Sequence, residues 1–386
     1  MQTDILIIGQ GICGTFLSWW LEKAGLSCLV MDEPRLFTAS KAAAGLINPV
    51  TGRRIVKTWM IDELLPFAQE AYRQLGEELG TEFIRQKNLI DFFPTPQMRL
   101  AFLDRFAKDP QYLQLPEDEQ TWNEYFRYDF GYGVISPCWL VDLPRLLELS
   151  RKRLLERKTL LEERFEADEL IVEKQSAGAT VDSIGGQKDR STRGIRYKDI
   201  SARHIIFCDG VESAASQWFS LLPFAPNKGE ALIVEIPGLV GAGGLERQHA
   251  GTDRQYDGAA VFKKGLTLAP WKEGMYWIGS SYEWSFQDTG PTELFRIRTE
   301  AGLKDWLKVP FTTVEHIASV RPATLERRPF VGFHPRYPAI GILNGMGTKG
   351  CSLAPWFASQ LAQYIAEGTP ILPEADIKRF SRVLSR

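Results

Sequence analysis

The chain opens with a switch of hydrophobic period. Ile5 to Ile8 is a continuous apolar run that ends in Gly9-Gln10-Gly11-Ile12-Cys13-Gly14, after which Phe16, Leu17, Trp20, Leu21 and Ala24 recur at spacings of three and four. This predicts a buried strand, a tight turn and a helix. Gly25 stops the helix, and Cys28 to Met31 is a second buried strand closed by Asp32-Glu33. A longer helix is expected from Ile61 to Leu79 on Leu64, Leu65, Phe67, Ala68, Ala71, Tyr72 and Leu75, ended by Gly80. From there to Tyr132 the chain is irregular and rich in aromatic residues, which read as core. Val134-Ile135-Ser136-Pro137 leads into a helix marked by Leu140, Leu143, Leu146, Leu147 and Leu154.

Short strands follow at Thr159 to Phe165, Glu169 to Val172 and Ile195 to Tyr197. The run Arg203 to Phe207 ends in Cys208-Asp209-Gly210 and is expected to return to the first sheet. Ala231 to Ile236, Ala259 to Phe262, Leu266 to Ala269 and Met275 to Ile278 are strands with no helical pattern between them, so they predict an antiparallel sheet. Leu294 to Leu307 is a helix, and Ala339 to Leu343 is the last strand. Asn344-Gly345-Met346-Gly347-Thr348-Lys349-Gly350 then precedes a helix through Leu353, Phe357, Leu361 and Ile365. It is a second glycine-rich loop at a helix N-terminus, where N–H dipoles can face negative charge on a ligand ring.

At 386 residues the chain predicts two domains, and 44% hydrophobic residues can fill both cores. A net charge of −2 gives no broad field for nucleic acid or an anionic membrane, which leaves a small molecule as the expected partner. The oligomeric state is open. The five cysteines are scattered and read as reduced core residues. His204, His249, His316 and His334 are isolated and have no metal-ligand spacing. No leader pattern precedes the first strand, and no apolar run is long enough to span a bilayer, so the expected location is the cytoplasm.

The first turn fits a dinucleotide site. Gly9 permits the turn, Gly11 lets the backbone approach a pyrophosphate, Gly14 allows close helix–strand packing, and the helix start at Ile12 and Cys13 offers N–H groups to phosphates. Asp32, with Glu33, stands where a ribose-binding acid is expected. The stretch Thr38 to Pro49 gathers small residues, including Ser40, Ala43, Ala44 and Gly45, which suits either a flat ligand or a small-residue helix start. The basic residues Arg151, Lys152, Arg153 and Arg157 read as a solvated helix face rather than a phosphate site.

Five segments together resemble the D-amino-acid oxidase superfamily, in its glycine oxidase and sarcosine oxidase branch: Gly9 to Gly14 with Asp32, ASKAAAGLINP, FCDG, VRPATLERRPFVG and GMGTKGCSLAP. The resemblance implies FAD in an α/β Rossmann-type domain built from separated segments, and an α+β substrate domain whose mostly antiparallel sheet covers the flavin. The expected division is 1–80, 133–225 and 316–386 for the FAD domain, with 81–132 and 226–315 for the substrate domain. It extends the cofactor-binding set to Phe165, Cys208, Asp209, Gly210, Arg321, Gly345, Met346, Gly347, Thr348 and Lys349.

The implied activity is oxidation of the C–N bond of a small amino acid or N-substituted glycine by hydride transfer to flavin N5. Arg321 and Lys349 occupy the positions whose cations grip the substrate carboxylate in the glycine and sarcosine oxidases respectively. The alternatives are an ion pair of Arg321 with Glu315 or Glu326, and a contact of Lys349 with the flavin alone. Arg53 and Arg54 are nearby candidates, or a surface turn. Two departures stand out. Trp277 takes the place of the lysine with which sarcosine oxidases activate oxygen, and neither a cysteine near Arg321 nor a histidine near Lys41 is present to attach the flavin, which predicts noncovalent FAD. The last segment also resembles the flavin half of the enzyme that trims carboxymethylaminomethyl-uridine in tRNA, so a tRNA side-chain oxidase is the alternative activity. A non-catalytic flavin subunit of a heteromeric dehydrogenase is the alternative from another class.

Overall fold

The computed structural model describes residues 1–173, 194–239, 260–272 and 274–386. His249, and Ala259 at the start of one expected strand, lie outside them. The described chain divides into two compact units, 1–36 with 146–226 and 321–386, and 37–145 with 227–320.

The first unit is built on five parallel strands, in the order Ile340–Asn344, Ile200–Phe207, Gln2–Ile8, Cys28–Met31 and Leu160–Leu161. Strand Phe330–Phe333 extends the sheet antiparallel beside Ile340–Asn344. Strands Leu170–Val172 and Ile195–Tyr197 continue it from the start of Ile200–Phe207. A parallel sheet is covered on both faces, which is why Ile5, Leu6, Ile7 and Ile8 are all buried instead of alternating. Leu6, Ile205, Phe207, Ile340 and Ile342 pack in one core with Tyr197 and Phe219. Helices Ile12–Lys23 and Gly350–Glu367 are held together by the Trp20 indole N–H, which donates to the Pro355 carbonyl at 3.1 Å.

The second unit is a nine-stranded sheet. Its main order is Thr312–Arg321, Asn227–Glu235, Met275–Gly279, Leu266–Lys272, Val261–Lys264, Ile84–Phe92, Tyr132–Val141 and Leu46–Ile47, with Leu113–Gln114 also pairing to Tyr132–Val141. Val261–Lys264 runs parallel to Ile84–Phe92, while the neighbouring pairs on either side are antiparallel. Phe92, Phe126, Phe262 and Trp306 form its aromatic core, with Phe92 and Phe126 centroids 5.1 Å apart.

Three expectations need correction. Residues 81–132 are not irregular throughout, since they contain strand Ile84–Phe92 and helix Pro96–Lys108. The strand lacks a readable period because its first half is polar and Asp91, in its buried half, is neutralised by Lys263 at 2.8 Å. Residues 134–140 belong to strand Tyr132–Val141, and the helix starts only at Leu143. That pairing also moves the domain boundaries: Leu46–Ile47 and Tyr132–Val141 join the second sheet, so 37–80 and 133–145 leave the first unit, and 316–320 follow strand Thr312–Arg321.

Candidate functional site

In the first unit the C-terminal ends of the parallel strands gather most of the expected residues. Gly9 has φ of +100°, and a Cβ there would stand 2.6 Å from the Cys208 carbonyl oxygen. Gly14 is set so close to the turn that a Cβ would lie 1.9 Å from the Gly9 oxygen. Gly11 begins the helix: its carbonyl accepts the Thr15 N–H at 2.9 Å, and no side chain caps it. A second helix starts beside the first, with Ile12 Cγ2 3.5 Å from where a Gly350 Cβ would be. Burial pushes the Cys13 thiol up to about 12 and Cys208 well above its ordinary range, so both are inert packing groups.

Asp32 closes the neighbouring strand. Its Oδ1 accepts the Gln10 backbone N–H at 2.8 Å, and its Oδ2 accepts from Arg151 Nη1 at 2.6 Å. Arg151 is thus not part of a solvated face: its side chain is 18% exposed and also reaches Glu162 at 2.8 Å and the Gln10 side-chain oxygen at 3.3 Å. Arg157 does lie on the surface, paired with Glu22, whereas Arg153, on the same Glu22, is as little exposed as Arg151. Glu33 is engaged by Arg35 at 2.9 Å, which also holds Glu212. The Phe165 ring packs on Tyr197 and Phe207 at 5.0 and 5.4 Å, a core position.

A buried polar knot joins the ends of Ile200–Phe207 and Ile340–Asn344. The Asp209 carboxylate accepts from Ser213 and, at 3.3 Å, from Asn344 Nδ2, which also donates to the Gly210 carbonyl at 2.8 Å and to Ser213 Oγ at 3.1 Å. Burial raises the Asp209 pKa to about 7, against the lowering effect of the Ser213 bond. Asn344 Oδ1 in turn accepts the Gly345 N–H at 2.8 Å, which ties the knot to the second glycine-rich loop.

That loop is folded against the segment after Arg321. Gly345 and Gly347 have φ of +78° and +55°. The Gly347 N–H donates to the Pro322 carbonyl at 3.2 Å, and the Ala323 N–H to the Arg321 carbonyl at 2.8 Å. Met346 is buried, Thr348 is exposed, and Arg321 and Lys349 are half-buried. Glu326, one alternative partner for Arg321, pairs with Arg379 at 3.3 Å.

The second unit holds the other expected residues. Ser40 and Ala43 are half-buried; Ala42 and Ala44 pack against Trp277, Ala231, Ile233 and Ile317. The Trp277 indole N–H donates to the Ala42 carbonyl at 3.0 Å. Gly45 has a packing reason of its own, because at φ of +80° a Cβ would stand 1.9 Å from the Val141 oxygen. Arg53 and Arg54 are exposed. Lys264 is occupied with the Arg127 carbonyl at 2.9 Å. A separate buried group joins Lys228, Glu230 and His316: Glu230 lies 3.7 Å from Lys228 and 2.9 Å from His316 Nε2, and it accepts from the Thr292 hydroxyl at 2.8 Å. Sequence reading missed both this group and Arg151, whose partners are far away in the chain. Among the described residues no His, Cys, Asp and Glu cluster could hold a metal, and no helix is long and apolar enough to cross a membrane.

The first unit fits FAD by its own geometry. A glycine turn leads into a helix N-terminus, next to an acid at the end of the adjacent parallel strand, beside the central pair of strands where the order reverses. The comparisons agree. The chain is 25% identical to a glycine oxidase of Bacillus licheniformis over 96% of its length and 95% of the relative's. Its fold matches the crystal structure of glycine oxidase from Geobacillus kaustophilus, with a TM-score of 0.72 at 16% identity over 98% of each chain. It likewise matches iminodiacetate oxidase from a Chelativorans species, with a TM-score of 0.70 at 20% identity over 98% of each. These two likenesses show the shared fold. Residues 4–364 match the family model described as FAD dependent oxidoreductase, known as DAO, and the chain belongs to that family of FAD-dependent flavoenzymes.

Proposed function

We propose that the chain oxidises the C–N bond of a small amino acid or N-substituted glycine, with FAD held noncovalently and Arg321 and Lys349 binding the substrate carboxylate. The observation that carries this reading is the bond from the Gly347 N–H to the Pro322 carbonyl at 3.2 Å, which pins together the two segments that bear the cations. Bound FAD supplies the acceptor for the hydride removed from the carbon beside nitrogen. The residues bind and orient. A guanidinium at Arg321 can take both carboxylate oxygens in one plane, while the Lys349 ammonium acts as a point charge. Lys349 also stands at the N-cap of helix Gly350–Glu367, so helix dipole and side chain favour negative charge at the same place. The likeness to glycine oxidases and to an iminodiacetate oxidase supports a small, carboxylate-bearing amine as substrate.

The test is titration with a small carboxylate while following the flavin spectrum, alongside a redox titration. Arg321→Ala weakens carboxylate binding by at least about thirtyfold, the lower end of what truncating one member of a desolvated charge pair costs. Lys349→Met weakens it too and also makes the flavin harder to reduce, because a positive charge near the reduced ring is lost. Unchanged affinity in both variants overturns the clamp. Acid precipitation releases all the flavin into the supernatant, and yellow colour left in the pellet contradicts noncovalent attachment.

A further inference from the structure

We infer that Arg151 is a positioning residue for the adenosine end of FAD, acting through Asp32. The inference rests on the FAD dependence of the family and is independent of the substrate reading. Asp32 stands at the end of strand Cys28–Met31, where the dinucleotide fold presents an acid to the ribose hydroxyls. A carboxylate on so short a connection can rotate, and its usefulness depends on which lone pairs face the ligand. Here both oxygens are fixed from the protein side, Oδ1 by the Gln10 N–H at 2.8 Å and Oδ2 by Arg151 Nη1 at 2.6 Å. Each oxygen accepts more than one hydrogen bond, so directions remain for a diol.

Arg151 is itself held. Its Nε and Nη2 reach Glu162 Oε1 at 3.0 and 2.8 Å, and Nη2 donates to the Asp32 carbonyl at 3.3 Å. Glu162 follows strand Leu160–Leu161, which pairs with Cys28–Met31, so the guanidinium spans two adjacent strand ends. It reaches the glycine turn as well, through the Gln10 side-chain oxygen at 3.3 Å. Gln10 is buried, and its amide nitrogen is anchored on Thr15 Oγ1 at 3.1 Å and the Leu147 carbonyl at 3.2 Å. One guanidinium therefore ties together the turn expected to receive the pyrophosphate and the acid expected to receive the ribose. The planar fork of arginine suits this, since lysine cannot make these bonds in one plane.

A double-mutant cycle on the apoprotein tests it, with FAD affinity read from flavin fluorescence and folding from thermal melting. Arg151→Met raises the FAD dissociation constant by about tenfold or more, the loss expected for one charge-assisted hydrogen bond. Asp32→Asn does the same or more, and adding Arg151→Met to Asp32→Asn costs little further, because the arginine works through the acid. Arg151→Lys recovers part of the affinity and serves as the second variant if Arg151→Met does not fold. Unchanged FAD affinity in Arg151→Met overturns the proposal, as do fully additive losses in the double variant or no recovery in Arg151→Lys.

Discussion

Two small-residue stretches, Gly9 to Gly14 in the first unit and Ser40 to Gly45 in the second, look alike in the sequence and differ in what makes them small. In the first, Gly9 and Gly14 are demanded by neighbouring backbone, but Gly11 adopts φ of −75°, which any residue tolerates. Backbone conformation gives no reason for that glycine, and the reason we propose is the approach of the FAD pyrophosphate. In the second, Gly45 is demanded both by φ of +80° and by the Val141 carbonyl, and a two-residue strand follows in place of a helix. Small residues alone do not mark a ligand cradle. A helix N-terminus at the end of a parallel strand does, because it supplies oriented N–H groups.

Gly11→Val gives the largest effect that would break this contrast. A side chain at Gly11 occupies the space expected for the pyrophosphate, so FAD affinity falls by at least about a hundredfold while the chain stays folded. Titration of the apoprotein with FAD checks it, and wild-type affinity would show that the turn does not face the cofactor.

The same contrast holds for buried acids, and it sets a pH dependence. Glu230 in the second unit has Lys228 and His316 beside it, whereas Asp209 in the first is held by the neutral donors Ser213 and Asn344. The Asp209 pKa, raised by burial to about 7, exceeds its ordinary value of 3.8. The folded state therefore keeps a proton that the unfolded chain gives up. The stabilisation is complete below pH 3.8 and is lost as pH rises toward 7, at about 1.4 kcal/mol per pH unit at most. Asp209→Asn flattens this slope and is relatively more stable at pH 8. Urea midpoints from pH 4 to 8 decide, and parallel curves for the two proteins would place the proton elsewhere.

Gly45→Ala comes next, costing about 3 kcal/mol through strain and the Val141 contact. Its signature is a lowered melting temperature with FAD affinity of the folded protein unchanged. Lost affinity at unchanged stability would make the segment a cradle after all.

The strand–turn–helix at the N-terminus was legible because the hydrophobic period changes within a few residues and the glycines fall at the change. Glycine positions could be read; their neighbours could not. Gly45 meets Val141 and Gly9 meets Cys208 only once the sheets are assembled. Arg151 was hidden for the same reason. It lies in a basic row in which Lys152 and Arg157 do face solvent, and its partner Asp32 is 119 residues away. Asp91 made strand Ile84–Phe92 unreadable, since a buried charge is tolerable only through Lys263, 172 residues on. Where a residue's reason is local the sequence carries it, and where the reason is a distant partner it does not.

Trp277→Phe is the smallest and sharpest test of the second stretch. The indole N–H that donates to the Ala42 carbonyl is buried, and phenylalanine keeps most of the packing with Ala231, Ile233 and Ile317 while removing the donor. The Ala42 oxygen is left without that bond, at a cost of about 1 to 2 kcal/mol. Trp277 also stands where the resemblance to sarcosine oxidases would put an oxygen-activating lysine, and Lys263 and Lys264 are engaged by Asp91 and the Arg127 carbonyl. Reoxidation of reduced flavin in air is therefore expected to be slow in the wild type and faster with an artificial acceptor. Trp277→Phe should leave it slow, because neither ring carries a charge, whereas Trp277→Lys should speed it if the position faces the flavin. Stopped-flow reoxidation of the three proteins, with urea melts alongside, separates the two roles. A drop in stability for Trp277→Phe at constant reoxidation rate makes Trp277 a strut for the Ser40 to Gly45 segment, and rapid reoxidation in the wild type would remove the reason for linking this residue to oxygen.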